Sequence, residues 1–130
     1  MKSSLPLAFS LTILTSCTNR IYFHRIETYL NAHTMETKEK YMAEDYRSFF
    51  MEKKGEGQNK WQALQSFLNW DAPLHPDVHI LNHKKSGNTW KVEFNEQNDF
   101  SKLIGFPGWK GTEIIRFNRK KMIDEMIYIP

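Results

Sequence analysis

The sequence predicts an α+β domain from three observations. Residues 21–70 carry apolar side chains at helical spacing, residues from 77 onward alternate with period two, and short turns bearing Gly or Asn separate the alternating runs. Tyr22, Ile26, Tyr29, Leu30 and His33 recur on one face and define a first helix over 21–33. Tyr41 and Met42 fall in a second, short helix over 36–43. Gly55-Glu56-Gly57 marks a loop, and Asn59 is placed to cap a third helix over 59–70, which carries Trp61, Leu64, Phe67 and Leu68 on one face. Strands follow over 78–84, 89–98, 111–118 and 122–129, the first two joined at Ser86-Gly87-Asn88. Consecutive strands joined by short turns form an antiparallel meander, with the helices packed on it.

Composition narrows the function classes. The 40% hydrophobic and 25% charged fractions are those of an ordinary globular chain, and a formal net charge of +3 gives no reason to expect a nucleic-acid partner. No glycine-rich phosphate loop, Ser-His-Asp arrangement or nucleic-acid motif occurs. The basic runs Lys84-Lys85 and Arg119-Lys120-Lys121 fall in hairpin turns, either as solvated tips or as contacts for anionic lipid headgroups. His75, His79 and His83 are spaced by four, but Pro76 and the Val78, Ile80 alternation place them along a strand. Four strand residues span about 13 Å, too far to share one ion, so neither a metal nor a cofactor is expected.

The amino terminus has its own logic. Lys2 precedes an apolar run over 5–14, the length of a signal-peptide core and well short of the roughly 20 residues that span a bilayer. Leu14-Thr15-Ser16-Cys17 resembles the lipobox of bacterial lipoproteins, whose cysteine becomes the lipidated new terminus. The expected organisation is a signal peptide over 1–16, the lipidated Cys17 with a short tether over 17–22, and one domain over 23–130 held at the membrane of the bacterial cell envelope. Cys17 is the only cysteine, so neither a disulfide nor a thiol nucleophile remains once it carries lipid, and stability rests on the core.

Several phrases, in this order, resemble the nuclear transport factor 2-like superfamily, which includes SnoaL-like proteins, ketosteroid isomerase and polyketide cyclases. Tyr29-Leu30-Asn31-Ala32-His33 is similar to the end of that family's first helix, and Tyr41-Met42-Ala43-Glu44-Asp45 to its second-helix motif. Arg116-Phe117-Asn118 with Met122 is similar to its last hairpin. Glu96-Gln97-Asn98-Asp99-Phe100 through Leu103-Ile104-Gly105 is similar to a phrase of small bacterial members. The resemblance implies a cone: a bent sheet, lidded by the helices, whose concave face holds an apolar pocket.

Within that cone, Trp90, Val92 and Phe94 share a face by alternation, and the face runs on to Glu96, Asn98 and Phe100. Glu96 is there a candidate general base among aromatics. The alternative is that the strand runs into solvent, with Asn98 or Asp99 capping a helical turn over 101–104. His33 and Tyr41 are helix-borne hydrogen-bond donors or satisfied core groups. Trp70-Asp71 pairs a ring with a carboxylate, although Asp71 before Pro73 also suits a turn. Trp61, Phe67, Phe106 and Trp109 are expected to build core and rim.

Aligned on ketosteroid isomerase, the base position falls at or beside Phe50 and the tyrosine position near Ile26, both inert, while Glu113 falls near the position of the protonated acid. The expected function is therefore binding of a small apolar ligand, or of a protein partner, without turnover. An acid/base isomerase, cyclase or dehydratase using Glu96, Asp71 or Glu113 is the alternative. Dimerisation through the open face of the sheet, as relatives do, is a third.

Overall fold

The structure is a computed structural model that describes the backbone of residues 4–130 and the side chains of residues 17–130. The side chains on which the signal-peptide reading rests, Lys2, those of 5–14 and Leu14-Thr15-Ser16, lie outside the described residues. A long helix α1 (Ser4–Leu30) leads into a short α2 (Met35–Glu39), strand β1 (Met42–Phe50) and a two-residue β2 (Gln58–Asn59). Helix α3 (Lys60–Ser66) follows and continues through a π turn (Phe67–Asp71) and a 3₁₀ turn (Ala72–Leu74). Strands β3 (Asp77–Ser86) and β4 (Thr89–Gln97), helix α4 (Asp99–Ile104), and strands β5 (Trp109–Phe117) and β6 (Ile123–Ile129) complete the fold. Cys17 is exposed on α1, and the segment 17–22 belongs to that helix. Among the described residues, no helix is long and apolar enough to cross a membrane.

The strands form one curved sheet in the order β2-β1-β6-β5-β4-β3. The meander from β3 to β6 is antiparallel, as expected, but the sheet as a whole is mixed because β1 lies parallel to β6. The expected helix over 36–43 gives way to a helix that ends at Glu39 and a strand that begins at Met42. The reason is a register shift between Met42 and Arg47 in the pairing with β6. An extra residue in one strand reverses which side chains face the core. Met42, Tyr46 and Phe49 are thus all buried although they are four and three residues apart, a spacing that imitates a helix.

Local signals set the other boundaries. Asn59 caps α3 in a reciprocal box with Gln62, and Asn98 does the same for α4 with Ser101, a residue that is itself fully buried. Gly105, in the left-handed region, closes α4. Gly57 has φ +65° and lies so close to the Ser48 carbonyl that a Cβ would collide with it.

The C-terminal part of helix α1 is bolted across the concave face at two points. Before its last turn, Arg25 Nε donates to the Lys121 carbonyl at 2.8 Å. At its end, the Asn31 amide accepts from Val78 N at 2.7 Å and donates to Val78 O at 3.1 Å, pairing with β3 as a strand neighbour would. Between these ties, Ile26, Tyr29 and Leu30 pack on Val92, Ile115, Phe117 and Ile123 in one core. Leu64 brings α3 into the same core at 1% exposure, whereas Trp61 on the same helix is 59% exposed. Leu64→Ala is therefore expected to cost about 2–5 kcal/mol in urea denaturation, and Trp61→Ala less than about 0.5 kcal/mol. Equal costs would contradict this placement of α3.

Candidate functional site

Alternation on β5 puts Glu113 in line with Ile115 and Phe117, so a carboxylic acid occupies a place on the buried face of the sheet. Its cross-strand neighbours are Val92 on β4 and Tyr128 on β6. Above it, between the sheet, the end of α1 and α3, lies a cavity of about 620 Å³. Tyr29, Lys38, Tyr46, Phe49, Phe50, Phe67, Asp71, Met126 and Tyr128 line it together with Glu113. Its size and aromatic walls are those of a small-molecule site.

Glu113 is buried, and its Oε2 has no hydrogen-bond partner. Burial pushes its pKa up to about 8, against the pull of Lys38, while Glu96 and Asp71 raise it further. At neutral pH the group is an uncharged acid with a proton to donate.

Three other polar groups of the cavity, Tyr29, Tyr46 and Lys38, are already partnered. Tyr29 and Tyr46 meet hydroxyl to hydroxyl at 3.0 Å, and Tyr46 Oη donates to Met126 Sδ at 3.5 Å, so the Tyr29 proton points at Tyr46. Burial raises both phenols, Tyr46 to about 12, and they stay neutral. Lys38 Nζ donates at 3.1 Å to the Tyr29 carbonyl, which lies in the last turn of α1 and also accepts from Ala32 N at 3.4 Å. The same ammonium lies 3.8 Å from the centre of the Tyr29 ring and 5.2 Å from that of Phe67. Desolvation lowers its pKa to about 8, and the charges of Glu113, Asp71 and Glu96 oppose that shift.

Asp71 stands at the mouth. As a residue it is open to solvent, yet its carboxyl is raised by partial burial and lowered by Lys38. Glu96 does not line the cavity; it is half-buried, raised first by burial and then by Asp71, and lowered by Lys38. Asp71, Glu96, Glu113 and Lys38 thus form one electrostatic group, with the acid inside and two carboxyls toward the opening.

Of the residues expected from sequence, Phe67, Asp71 and Glu113 line this cavity. The remainder lie elsewhere. Tyr41 is buried at the other end of the sheet between the Arg25 guanidinium and the Lys40 ammonium, 5.0 and 5.9 Å from its ring centre. His33 hydrogen-bonds the Pro76 carbonyl at 2.9 Å on the surface. Trp90 and Phe94 are core residues of β4. Asn98 spends its side chain on the cap of α4. Trp61, Trp70, Phe100 and Trp109 are exposed, Trp70 by 75%, and Trp109 leans on Phe106 with ring centres 5.0 Å apart. The three spaced histidines have separate surroundings: His75 pairs with Asp99 at 2.6 Å, His79 with Asp77 at 3.4 Å, and His83 lies between the rings of Phe23 and Trp90.

Tyr29, Lys38, Tyr46 and Tyr128 have no place in the sequence-based site. Tyr29 reads as core from its helical spacing, and its hydroxyl reaches the cavity one turn beyond Ile26, where alignment places the family's tyrosine. Tyr46 was hidden by the irregularity of β1, and Lys38 by a helix too short to show a buried face.

No family model matches this sequence. No curated protein matches it either. Solved structures do. A Delta 5-3-ketosteroid isomerase from Mycobacterium sp. aligns with TM-score 0.65 at 13% identity, covering 85% of this chain and 90% of that one. A computationally designed 17-OHP binder aligns with TM-score 0.65 at 15% identity over 83% of this chain and 87% of its own. A nuclear transport factor 2-like protein of unknown function from Cytophaga hutchinsonii aligns with TM-score 0.54 at 10% identity over 79% and 82%. The chain has the nuclear transport factor 2-like cone fold.

The buried acid has a stability signature. Its folded pKa lies above the ordinary 4.5, so the folded state holds a proton that the unfolded state releases. Stability from this group is complete below about pH 4.5, falls as pH rises to about 8, and is then constant. Glu113→Gln, which keeps the shape without the titration, is expected to match the wild type at pH 4 and to exceed it by about 3–5 kcal/mol at pH 8.5. Denaturation curves that differ equally at both pH values would contradict a protonated Glu113.

Proposed function

We propose that the cone binds a small, mainly apolar molecule through one oxygen atom, a carbonyl or carboxyl, that accepts the Glu113 proton. The observation that carries this reading is a buried acid, its Oε2 without a partner, in the wall of an aromatic cavity of ligand size. A buried polar atom left without a partner costs about 1–3 kcal/mol, a penalty that a ligand oxygen relieves on binding. Phe49, Phe67 and Met126 supply the apolar walls, and Lys38 supplies positive charge over the face of the Tyr29 ring. Titration of 2-acetonaphthone, an apolar aryl ketone, followed by its fluorescence, is expected to saturate with the wild type. Glu113→Gln keeps a donor and should retain binding, while Glu113→Ala should weaken it about tenfold. Undiminished binding by Glu113→Ala would sink the assignment.

A second reading follows from the two raised carboxyls at the mouth. Asp71 and Glu96, held above the ordinary carboxylate range by burial, are bases strengthened toward neutral pH, and Glu113 is an acid in the wall of the cavity that Asp71 also lines. Abstraction of a proton next to the bound carbonyl, with Glu113 donating to the developing enolate oxygen, is the chemistry such a set supports. Exchange of the methyl protons of 2-acetonaphthone with D₂O, measured by NMR, separates the two readings. Exchange catalysed by the wild type and lost in Asp71→Asn favours the enzyme, and exchange at the buffer rate favours binding alone.

The protein is further proposed to be a lipoprotein of the bacterial envelope, attached through Cys17. What supports this is the lipobox-like Leu14-Thr15-Ser16-Cys17 and an exposed Cys17 at one end of the domain. Intact mass of the protein from bacterial membranes is expected to show a chain beginning at a diacylglyceryl-modified Cys17. An unmodified Met1 terminus would refute it.

A further inference from the structure

The basic runs, distant in sequence, meet at one end of the fold. Lys85 Nζ donates to Asn19 Oδ1 of α1 at 3.1 Å, which brings the β3–β4 turn to the helix a few residues from Cys17. Arg25 Nε donates to the Lys121 carbonyl at 2.8 Å, bringing the β5–β6 turn to the same helix. Asn88 and Phe117 exchange hydrogen bonds of 3.0 Å, joining the two turns to each other. Arg20, Lys84, Lys85, Arg119, Lys120 and Lys121 are consequently neighbours on one exposed end that also presents Cys17.

Nothing in the folded domain explains this gathering of charge. Among the described residues, none of the six takes part in an ion pair. Lys84 is directly opposite Lys91 on β4, a like-charge cross-strand pair that destabilises a sheet. Lys121 sits at φ +61°, where glycine is favoured. The acidic groups at this end include Glu44 and Asp45, beside Arg119 and Lys120 in a shallow groove, and Asp124 at the start of β6; Lys60 already engages Glu44 at 3.1 Å and Arg116 engages Asp124 at 2.8 Å. A second groove of about 490 Å³ runs between α1 and the β3–β4 turn, with Phe23, Trp90 and His83 in its floor and Arg20, Lys84 and Lys85 on its edge. Apolar floor and cationic edge match a lipid, acyl chain below and phosphate above.

We propose that this end is a docking face for an anionic bilayer, which holds the domain with the mouth of its cavity turned away from the membrane. The direction follows from topology. Strand β5 runs from Trp109, at the end where the cavity opens, to Phe117 at the basic end, and β1 and β6 run back the other way. The orientation rests on the attachment at Cys17 proposed above, but the charged face does not, and the experiment separates them.

The probe is the full chain carrying Cys17→Ser, which cannot be lipidated, mixed with vesicles of phosphatidylcholine alone or with added phosphatidylglycerol. Residues 5–14 contribute equally to both vesicles, so the ratio of affinities reads the basic face. Anionic vesicles should bind at least tenfold more tightly at low salt, and the advantage should vanish in high salt. Lys120→Gln with Lys121→Gln should reduce it by about tenfold or more with an unchanged circular dichroism spectrum. Lys84→Gln with Lys85→Gln offers the same test on the other turn. Equal affinity for the two vesicles, an advantage untouched by both variants, or tighter binding to a DNA duplex than to the anionic vesicles would overturn the proposal. Absence of lipid on Cys17 in cells would overturn the orientation and leave the charged face standing.

Discussion

An acid buried without a hydrogen-bond partner must either ionise at a large cost or keep its proton, and in this fold Glu113 keeps it. The strand that carries it alternates Glu113, Ile115 and Phe117 onto one face, so the acid takes a place that packing alone would give to an apolar side chain. The surroundings then follow. Lys38 is drawn over the Tyr29 ring and onto the last carbonyls of α1, where its charge lies near the acid but does not form an ion pair with it. The Tyr29 and Tyr46 hydroxyls satisfy one another and so leave the acid alone. Among the described residues, Glu113 Oε2 is the buried side-chain polar atom left without a hydrogen-bond partner.

The fold explains how so costly an arrangement is held. Helix α1 cannot slide, because Arg25 and Asn31 tie it to opposite ends of the sheet. The bulge in β1 turns Tyr46 inward beneath Tyr29, and the π and 3₁₀ turns after α3 carry Phe67 and Asp71 to the cavity wall and its mouth. Features that look like defects of regular structure are the ones that shape the site.

Much of this architecture is legible in the sequence. Period two marks β3 to β6, Asn59 and Asn98 mark the helix starts, and family phrases point to a cone and to Glu113 as the surviving acid. What is not legible depends on register or on depth. Met42, Tyr46 and Phe49 imitate a helix because a register shift against β6 breaks the alternation of β1. Tyr29 shows its apolar ring in the helical pattern, while its hydroxyl direction comes only from packing. Trp61, Trp70 and Trp109 illustrate the converse: large rings suggest a core, yet Trp61 on α3, Trp70 in the π turn and Trp109 at the start of β5 all stand at the surface. The basic turns read as separate solvated tips, since nothing in a linear sequence says that two hairpins end side by side.

The central claim is that Glu113 is a neutral acid at physiological pH, and it can be measured without knowing any ligand. Carbon-13 NMR of the glutamate side-chain carboxyls, titrated from pH 4 to 10 and assigned by comparison with Glu113→Gln, reports its proton directly. A midpoint near 8 is the expected result, one that shifts when a carbonyl ligand occupies the cone. A midpoint at the ordinary 4.5 would mean an ionised group in the cavity, and the reading of this site as a proton donor would be wrong.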